Sequence, residues 1–196
     1  MNDFYIFKNG WKGLGTVCGW GSKIKHTKQI RHDLPRIIQY LSNITNHTIK
    51  INDAGCGDLW WWKKMQLDSI DYLGYDLFPK QSWTNSTYNC QKLNICQEPM
   101  RTCDLIVCRD VFIHWPNEYI LQALDLFKQS GAFLYSTTYT GEHYSFHNNY
   151  RITDFDMHHS KLNLCTEPFN LGAPLFVTPE NYKCNYSQKL ICLWEL

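Results

Sequence analysis

Short apolar runs separated by turn residues predict the strands of a sheet. The candidates are residues 48–52, 72–75, 104–108 and 132–138, and a further run over residues 188–194 predicts a late strand. Apolar runs of this length, bounded by turn residues, are typical of buried strands.

Helical spacing appears between these runs. It is clearest over residues 117–128, behind Pro116, where Ile120, Leu124 and Phe127 recur on one face. The other helix candidates are residues 34–42 and 59–65. Alternating strands and helices predict an α/β fold with a mainly parallel sheet and helices on both of its faces.

Three consecutive tryptophans, Trp60, Trp61 and Trp62, fall in the second of these helix candidates. Adjacent helix positions point in different directions, so at most one or two of the indoles can face the sheet. We expect one indole in the core and another at the rim, where Trp60 shares a face with Lys63 or Lys64.

The junction after the first strand has the composition of a ligand-binding turn. Gly55 and Gly57 let the backbone turn sharply and approach a ligand closely, and a helix start behind them offers unpaired N–H groups. Asp76 ends the second strand at the spacing where nucleotide-binding α/β folds hold a ribose. The pattern predicts a nucleotide cofactor at this edge of the sheet.

The residue that follows the turn argues against a dinucleotide. NAD fingerprints have a third glycine that lets the helix pack closely on the strand, whereas Gly55 and Gly57 are followed here by the large indole of Trp60. The chain also contains no P-loop sequence. Asp53-x-Gly55-x-Gly57, with Asp76 at the end of the second strand, instead resembles the class I S-adenosylmethionine-dependent methyltransferases.

This resemblance implies a Rossmann-like class I methyltransferase fold with an antiparallel closing strand, and S-adenosylmethionine as the cofactor. The cofactor-binding residues that it implies are Asp53, Gly55, Cys56, Gly57, Asp76, Leu77, Asn94, Arg109, Asp110 and Arg31. Asn94 stands where the family usually has an aspartate facing the adenine, and its side-chain oxygen can still accept a hydrogen bond from the adenine amino group.

Motifs near both ends are similar to those of a compact bacterial and viral branch of these enzymes. The motifs are Gly21-Ser22, Thr27, Arg31 and Leu34-Pro35 before the first strand, then Asn163-Leu164, Pro168-Phe169-Asn170 and Glu180. Arg31 also lies in a short basic cluster, which is either a solvated helix start or a contact to the cofactor or to an acidic acceptor.

Length and composition agree with a single methyltransferase domain over residues 1–196. A chain with 44% hydrophobic residues can bury a full core. No apolar run approaches the roughly 20 residues of a membrane span, and the start lacks the basic and apolar parts of a signal peptide. Nine cysteines without a Cys-x-x-Cys pair suit reduced thiols, so we expect a cytoplasmic protein.

The net charge of +1 supplies no general attraction to a nucleic-acid backbone. We therefore expect a small-molecule or glycan acceptor, and neither a long nucleic acid nor a membrane as partner. Nothing in the sequence specifies an oligomeric state.

Residues 139–171 interrupt the periodic pattern, at the place where such folds carry substrate-binding insertions. The candidate acceptor contacts are Tyr144, Phe146, His147 and Phe169. His143 and His147 would share a helix face, but Gly141 favours a loop and no acidic cluster lies nearby, so no metal site is predicted.

The chemistry of methyl transfer singles out the loop after the fourth strand. An alcohol acceptor gains from a general base, and His114 and Asp110 are the catalytic candidates there. The aromatic insertion suits a polar ring compound, so we expect O-methylation of a sugar or a small polar hydroxyl compound. A protein or modified-nucleotide acceptor, an NAD-binding domain and a non-catalytic binding module remain alternatives.

Overall fold

A computed structural model describes residues 16, 18–65, 67, 69–141, 160–184 and 187–196. Its α-helices are α1 (Lys28–Thr45) and α2 (Asn117–Ser130). Its strands are β1 (Ile49–Ala54), β2 (Ile70–Asp76), β3 (Cys90–Lys92), β4 (Cys103–Cys108), β5 (Gly131–Tyr139), β6 (Phe176–Cys184) and β7 (Ser187–Glu195).

The seven strands form one sheet in the order β3-β2-β1-β4-β5-β7-β6. Strands β1 to β5 pair in parallel, whereas β7 pairs antiparallel with both β5 and β6. The predicted fold class, a mainly parallel sheet with an antiparallel closing strand, is confirmed.

The two helices cover opposite faces of this sheet. Leu105 and Val107 of β4 share a buried cluster with the apolar face of α1, whereas the alternate residues Ile106 and Cys108 belong to a cluster with α2. This alternation follows from the period of two along a strand. None of the described helices is long and apolar enough to cross a lipid bilayer.

Helix α1 begins at Lys28 rather than at residue 34, so Pro35 lies inside it. A proline lacks the N–H of the helical hydrogen bond, which is why the sequence predicts a start beside it. In the structure Ile30 and Leu34 are fully buried, and packing of this face stabilises the turns before the proline. The side chain of Arg31 secures the start by donating to the carbonyl of Ile24.

The helix predicted over residues 59–65 is wrong. Only a single 3₁₀ turn, Trp62–Lys64, forms in this segment. Leu59 has a φ of 58°, a left-handed conformation that a right-handed helix cannot include, and Asp58 Oδ1 accepts the amide of Trp60 in a competing local turn. The glycine turn is therefore not followed by the helix start that the sequence predicts.

Candidate active site

The order of the strands reverses between β1 and β4, and open α/β sheets bind ligands at such a switch point, beyond the carboxyl ends of the strands. Gly55 follows β1 at this place, and Arg109 follows β4. The crevice contains a pocket that is partly open to solvent. Its lining consists of Cys18, Ser22, Asp53, Gly55, Cys56, Gly57, Asp58, Trp61 and Arg109.

The glycine turn forms one wall of the pocket. Gly55 and Gly57 have φ angles of 79° and 57°, which favour glycine. The amides of Gly55 and Cys56 both donate to the carbonyl of Tyr75, at 2.8 and 3.0 Å, so the turn is tied to β2. A β-carbon on Gly57 would lie 2.3 Å from Cys18 Sγ. The turn therefore admits the N-terminal segment only because Gly57 has no side chain.

Asp76 is held at the same edge by two backbone amides. Its Oδ2 accepts from Gly57 at 3.1 Å, and its Oδ1 accepts from Phe78 at 2.9 Å. A carboxylate oxygen has more than one acceptor position, so each oxygen keeps capacity for a further hydroxyl donor. The carboxylate is thus both fixed and able to bind a diol.

The next part of the chain reaches Asp76 through β3. The amide of Leu93 donates to the Asp76 carbonyl at 3.1 Å, and Asn94 Oδ1 accepts from the amide of Cys96 at 3.2 Å. Leu77 follows Asp76 and is half-buried. Leu77 thus follows Asp76 directly, and Asn94 follows Leu93, which pairs with Asp76. Neither Leu77 nor Asn94 lines the described pocket.

Asp53 lies at the pocket as a buried residue of β1, with 3% of its surface exposed. Burial raises the pKa of its carboxyl to about 7. The hydrogen bond that Tyr72 Oη donates to Oδ2 at 2.7 Å acts in the opposite direction and lowers the pKa, but its effect is smaller. Asp53 therefore changes charge near neutral pH.

Four charged side chains form a closed ring beside the pocket, which we call the ion ring: Arg109, Asp110, Glu180 and Lys189. Arg109 Nε and Nη2 donate to Glu180 Oε1 at 3.0 and 2.8 Å. Lys189 Nζ contacts Glu180 Oε2 at 2.7 Å and Asp110 Oδ1 at 2.6 Å. A contact of 3.2 Å between Arg109 Nη1 and Asp110 Oδ2 closes the ring.

The ion ring determines the state of Asp110. Although burial opposes it, the positive charges of Arg109 and Lys189 hold the pKa of the Asp110 carboxyl well below its usual range. Asp110 is therefore ionised at neutral pH, and both of its carboxylate oxygens are engaged in ion pairs.

His114 lies in the 3₁₀ turn Phe112–His114 that follows β4, and it is half-buried. Its positive charge, when protonated, contributes to lowering the pKa of the Asp110 carboxyl, after the larger effects of Arg109 and Lys189. Both predicted catalytic residues thus lie in the loop that follows the carboxyl end of β4.

The remaining predicted residues lie elsewhere. Arg31 Nε donates to Thr27 Oγ1 at 3.2 Å, outside the pocket lining. Phe169 is buried in the core on the α2 side with Leu162 and Leu164, so it does not line the pocket. The predicted acceptor contacts Tyr144, Phe146 and His147 lie outside the described residues.

Sequence reasoning missed Cys18, Asp58 and Trp61 in the pocket lining. Cys18 Sγ accepts the amide of Asp58 at 3.1 Å, a contact between segments that are far apart along the chain. No local pattern signals such a contact. The C-terminal motif marks Glu180 without giving it a role, and nothing in the sequence singles out Lys189.

A family model described as a methyltransferase domain matches residues 26–164. No curated protein sequence matches the chain significantly.

Solved structures with a similar fold include two bacterial methyltransferases bound to S-adenosylhomocysteine. The magnesium protoporphyrin IX methyltransferase of Synechocystis PCC 6803 has a TM-score of 0.55 and 13% identity, over 87% of this chain and 85% of that one. The N-methyltransferase NodS of Bradyrhizobium japonicum WM9 has a TM-score of 0.56 and 12% identity, over 84% of this chain and 86% of that one.

A third similar structure is the N-terminal domain of EvdMO1, determined in the presence of S-adenosylhomocysteine and D-fucose. Its TM-score is 0.52 at 9% identity, over 83% of this chain and 82% of that one. At these identities the likeness is one of fold.

Proposed function

Because the chain belongs to the family of methyltransferase domains, we propose that it transfers a methyl group to a hydroxyl of a sugar or a related small polar compound. Its methyl donor is S-adenosylmethionine. The observation that carries the donor site is the meeting of the glycine turn, Asp76 and the β4 loop at one edge of the sheet, and the sugar acceptor is inferred from the aromatic composition of residues 139–171.

The residues at this edge fit an adenosyl cofactor. Asp76 is anchored by backbone amides and keeps acceptor capacity for the two hydroxyls of a ribose. A β-carbon on Gly55 would lie 2.4 Å from Val111 Cγ2, and one on Gly57 would lie 2.3 Å from Cys18 Sγ, so the close packing of this turn requires glycine at both positions. Asp53 adds a polar group at the wall of the pocket. We assign the ribose to Asp76 and the remainder of the donor to the turn and to Arg109.

The donor supplies an already activated sulfonium methyl group, so the protein has mainly to position the acceptor and exclude water. An alcohol has to lose its proton during the transfer. We assign the removal of that proton to His114, because a neutral imidazole is a suitable base near neutral pH. Asp110 orients His114 or the acceptor, because its own low pKa and its ion pairs make it a weak base.

The first test measures donor binding by calorimetry with S-adenosylmethionine, S-adenosylhomocysteine and NAD. We expect both adenosyl ligands to bind and NAD not to bind. Replacing Asp76 by Ala should weaken binding by about 1.5 to 3 kcal/mol, the usual value of a hydrogen bond to a charged group. Asp71→Ala, at the opposite end of β2, is the matched control and should leave the affinity unchanged. Unchanged affinity in Asp76→Ala removes that residue from the ribose site.

The second test identifies the acceptor. Labelled methyl groups from the donor are followed into nucleotide sugars, glycans, nucleosides and peptides, with the wild-type protein and with His114→Ala. We expect label in a carbohydrate hydroxyl, lost in His114→Ala while donor binding persists. His47→Ala is the control, because His47 pairs with Asp104 at the amino end of the sheet. Label on nitrogen, or full activity without the His114 imidazole, contradicts the proposal.

A further inference from the structure

The ion ring draws its members from three parts of the sheet. Arg109 and Asp110 follow β4, Lys189 belongs to β7, and Glu180 belongs to β6. The pairing of β6 with β7 is regular up to Pro179 and resumes in a shifted register at Lys183. Glu180 is the first residue past the regular pairing, and irregularities of this kind redirect side chains. The β6–β7 hairpin thus places Glu180 and Lys189 in contact with the two residues that follow β4.

The charges of the ion ring depend on one another. Arg109, Glu180 and Lys189 are almost entirely buried, and Asp110 is largely so. The ring consists of two cations and two anions, so their charges balance. Each cation contacts both anions. Removing one member leaves an uncompensated buried charge on its partners, which is strongly unfavourable. The hairpin therefore supplies the two charges that pair with Arg109 and Asp110.

The ion ring also touches the donor pocket at two places. Arg109 lines the pocket directly. Gly21 packs so closely on Asp110 that a β-carbon at Gly21 would lie 2.7 Å from Asp110 Oδ2, and the next residue, Ser22, lines the pocket. A shift of Asp110 or Arg109 therefore disturbs both the pocket wall and the N-terminal segment that covers it.

We propose that Glu180 and Lys189 are positioning residues, which hold Arg109 and Asp110 in the arrangement that binds the adenosyl donor. The proposal rests on the proposed function, because it concerns the same donor site. Glu180 holds the guanidinium of Arg109 through Nε and Nη2, and Lys189 bridges Glu180 to Asp110. Neither residue lines the described pocket, so both act through the residues after β4.

The experiment measures the affinity for S-adenosylhomocysteine by calorimetry, with thermal unfolding of each protein. The variants are Lys189→Met, Glu180→Gln and the double variant, which removes one charge of each sign and leaves the Arg109–Asp110 pair. Lys189→Arg keeps the positive charge and serves as the conservative rescue. Asp71→Asn is the matched control, because it breaks the 2.8 Å ion pair with Arg101 at the amino ends of the strands.

We expect the folded double variant to bind S-adenosylhomocysteine at least about tenfold more weakly than the wild type, since the loss of a single hydrogen bond to a charged group has an effect of this size. Lys189→Arg should recover most of the affinity. Asp71→Asn should bind like the wild type even where its unfolding temperature falls. The double variant keeps the test valid if a single substitution prevents folding.

A pH profile of binding supplies a readout that a purely structural role does not affect. Asp110 is faced by Arg109, Lys189, His114 and Thr137, and Glu180 completes the ring. Loss of the Lys189 charge raises the pKa of the Asp110 carboxyl toward its ordinary value of about 4. In Lys189→Met we therefore expect affinity to fall toward acid pH more steeply than in the wild type.

The outcomes separate this proposal from the proposed function. A wild-type protein that does not bind the adenosyl ligand refutes the donor site and the positioning role together. A wild-type protein that binds, with a folded double variant of equal affinity and an unchanged pH profile, refutes only the positioning role. An equal loss of affinity in Asp71→Asn also overturns it, because the effect is then one of general stability.

Discussion

Two glycines of this chain adopt similar left-handed conformations in different surroundings. Gly57 has a φ of 57°, and Gly172 has a φ of 73°. A β-carbon on Gly172 would meet no atom within 4 Å, whereas one on Gly57 would lie 2.3 Å from Cys18 Sγ. A substitution at Gly172 therefore introduces backbone strain alone, whereas one at Gly57 introduces the same strain and a steric clash at the donor pocket.

We predict that Gly57→Ala impairs donor binding and Gly172→Ala does not. Both substitutions should lower the free energy of unfolding by about 1 to 2 kcal/mol, because alanine is strained in this conformation. Gly57→Ala should cost more than Gly172→Ala, since it also displaces Cys18 from Asp58. Urea unfolding and calorimetry with S-adenosylhomocysteine measure the two effects.

The same glycine substitution in a Cys18→Ala variant tests whether Cys18 causes the additional loss of stability in Gly57→Ala. Substituting Cys18 by Ala removes the sulfur that the new methyl group meets, so the additional cost of Gly57→Ala should largely disappear in that background. Equal donor affinity in Gly57→Ala and Gly172→Ala argues against a steric role of Gly57.

At the level of elements, the segment after the glycine turn packs as a compact irregular piece. Trp62 is fully buried and contacts Trp61 and Tyr72, with ring centroids 4.7 Å apart in both pairs. Trp60 is half-buried, and Lys64 Nζ lies 5.1 Å from the centroid of its ring. Trp61 and Trp62 therefore both belong to the core, whereas the sequence predicted one core indole, and Trp60 lies at the rim as predicted, although the expected helix does not form.

We predict a large difference in stability between two truncations in this segment. Trp62→Ala should lower the free energy of unfolding by about 3 to 5 kcal/mol, because it leaves a cavity in the core. Trp60→Ala should cost less, about 1 to 2 kcal/mol, because it removes a half-buried ring and its contact with Lys64 without leaving an enclosed cavity. Denaturant unfolding compares the two, and similar losses in both variants contradict the assignment of Trp62 to the core.

The sequence predicted elements well where local patterning decides them. Helix α2 and strands β1, β2, β4 and β5 follow from helical spacing and from apolar runs, and the structure changes their bounds by only a few residues, whereas the short β3 was not predicted from any apolar run. Propensity failed where tertiary packing overrides it. Burial of Ile30 and Leu34 extends α1 through Pro35, and the left-handed Leu59 prevents the helix expected over residues 59–65.

The candidate site consists of one part that local sequence patterns predict, the glycine turn with Asp76, and one part that depends on tertiary contacts, the ion ring. The turn after β1 and the carboxylate after β2 are local motifs at strand ends, so the sequence could predict that Gly57 and Asp76 lie close together. The ion ring depends on a hairpin in which β7 lies between β6 and β5, and on a register shift in that hairpin. Such contacts have no periodic signature, and sequence reasoning therefore missed Lys189.

Asp53 makes the global stability of the protein depend on pH. Burial raises the pKa of the Asp53 carboxyl from 3.8 to about 7. Folding therefore favours the protonated form of this carboxyl. Its contribution to the free energy of unfolding is fully present below pH 3.8 and is lost as the pH rises from there through about 7. Asp53→Asn cannot ionise and can still accept the hydrogen bond from Tyr72. We expect the variant to gain stability relative to the wild type between pH 4 and 7, by at most about 1.4 kcal/mol per pH unit.

Asp33 provides the matched control, because its pKa is shifted in the opposite direction. Although burial opposes it, hydrogen bonds from Gln29 and His32 hold the pKa of the Asp33 carboxyl below its ordinary value. Its stabilising contribution is therefore lost only at acid pH, and Asp33→Asn should be less stable than the wild type throughout pH 5 to 8, opposite in sign to Asp53→Asn. Urea unfolding at several pH values measures all three proteins. A parallel course of the Asp53→Asn and wild-type curves over that range would show that Asp53 is already ionised in the folded protein.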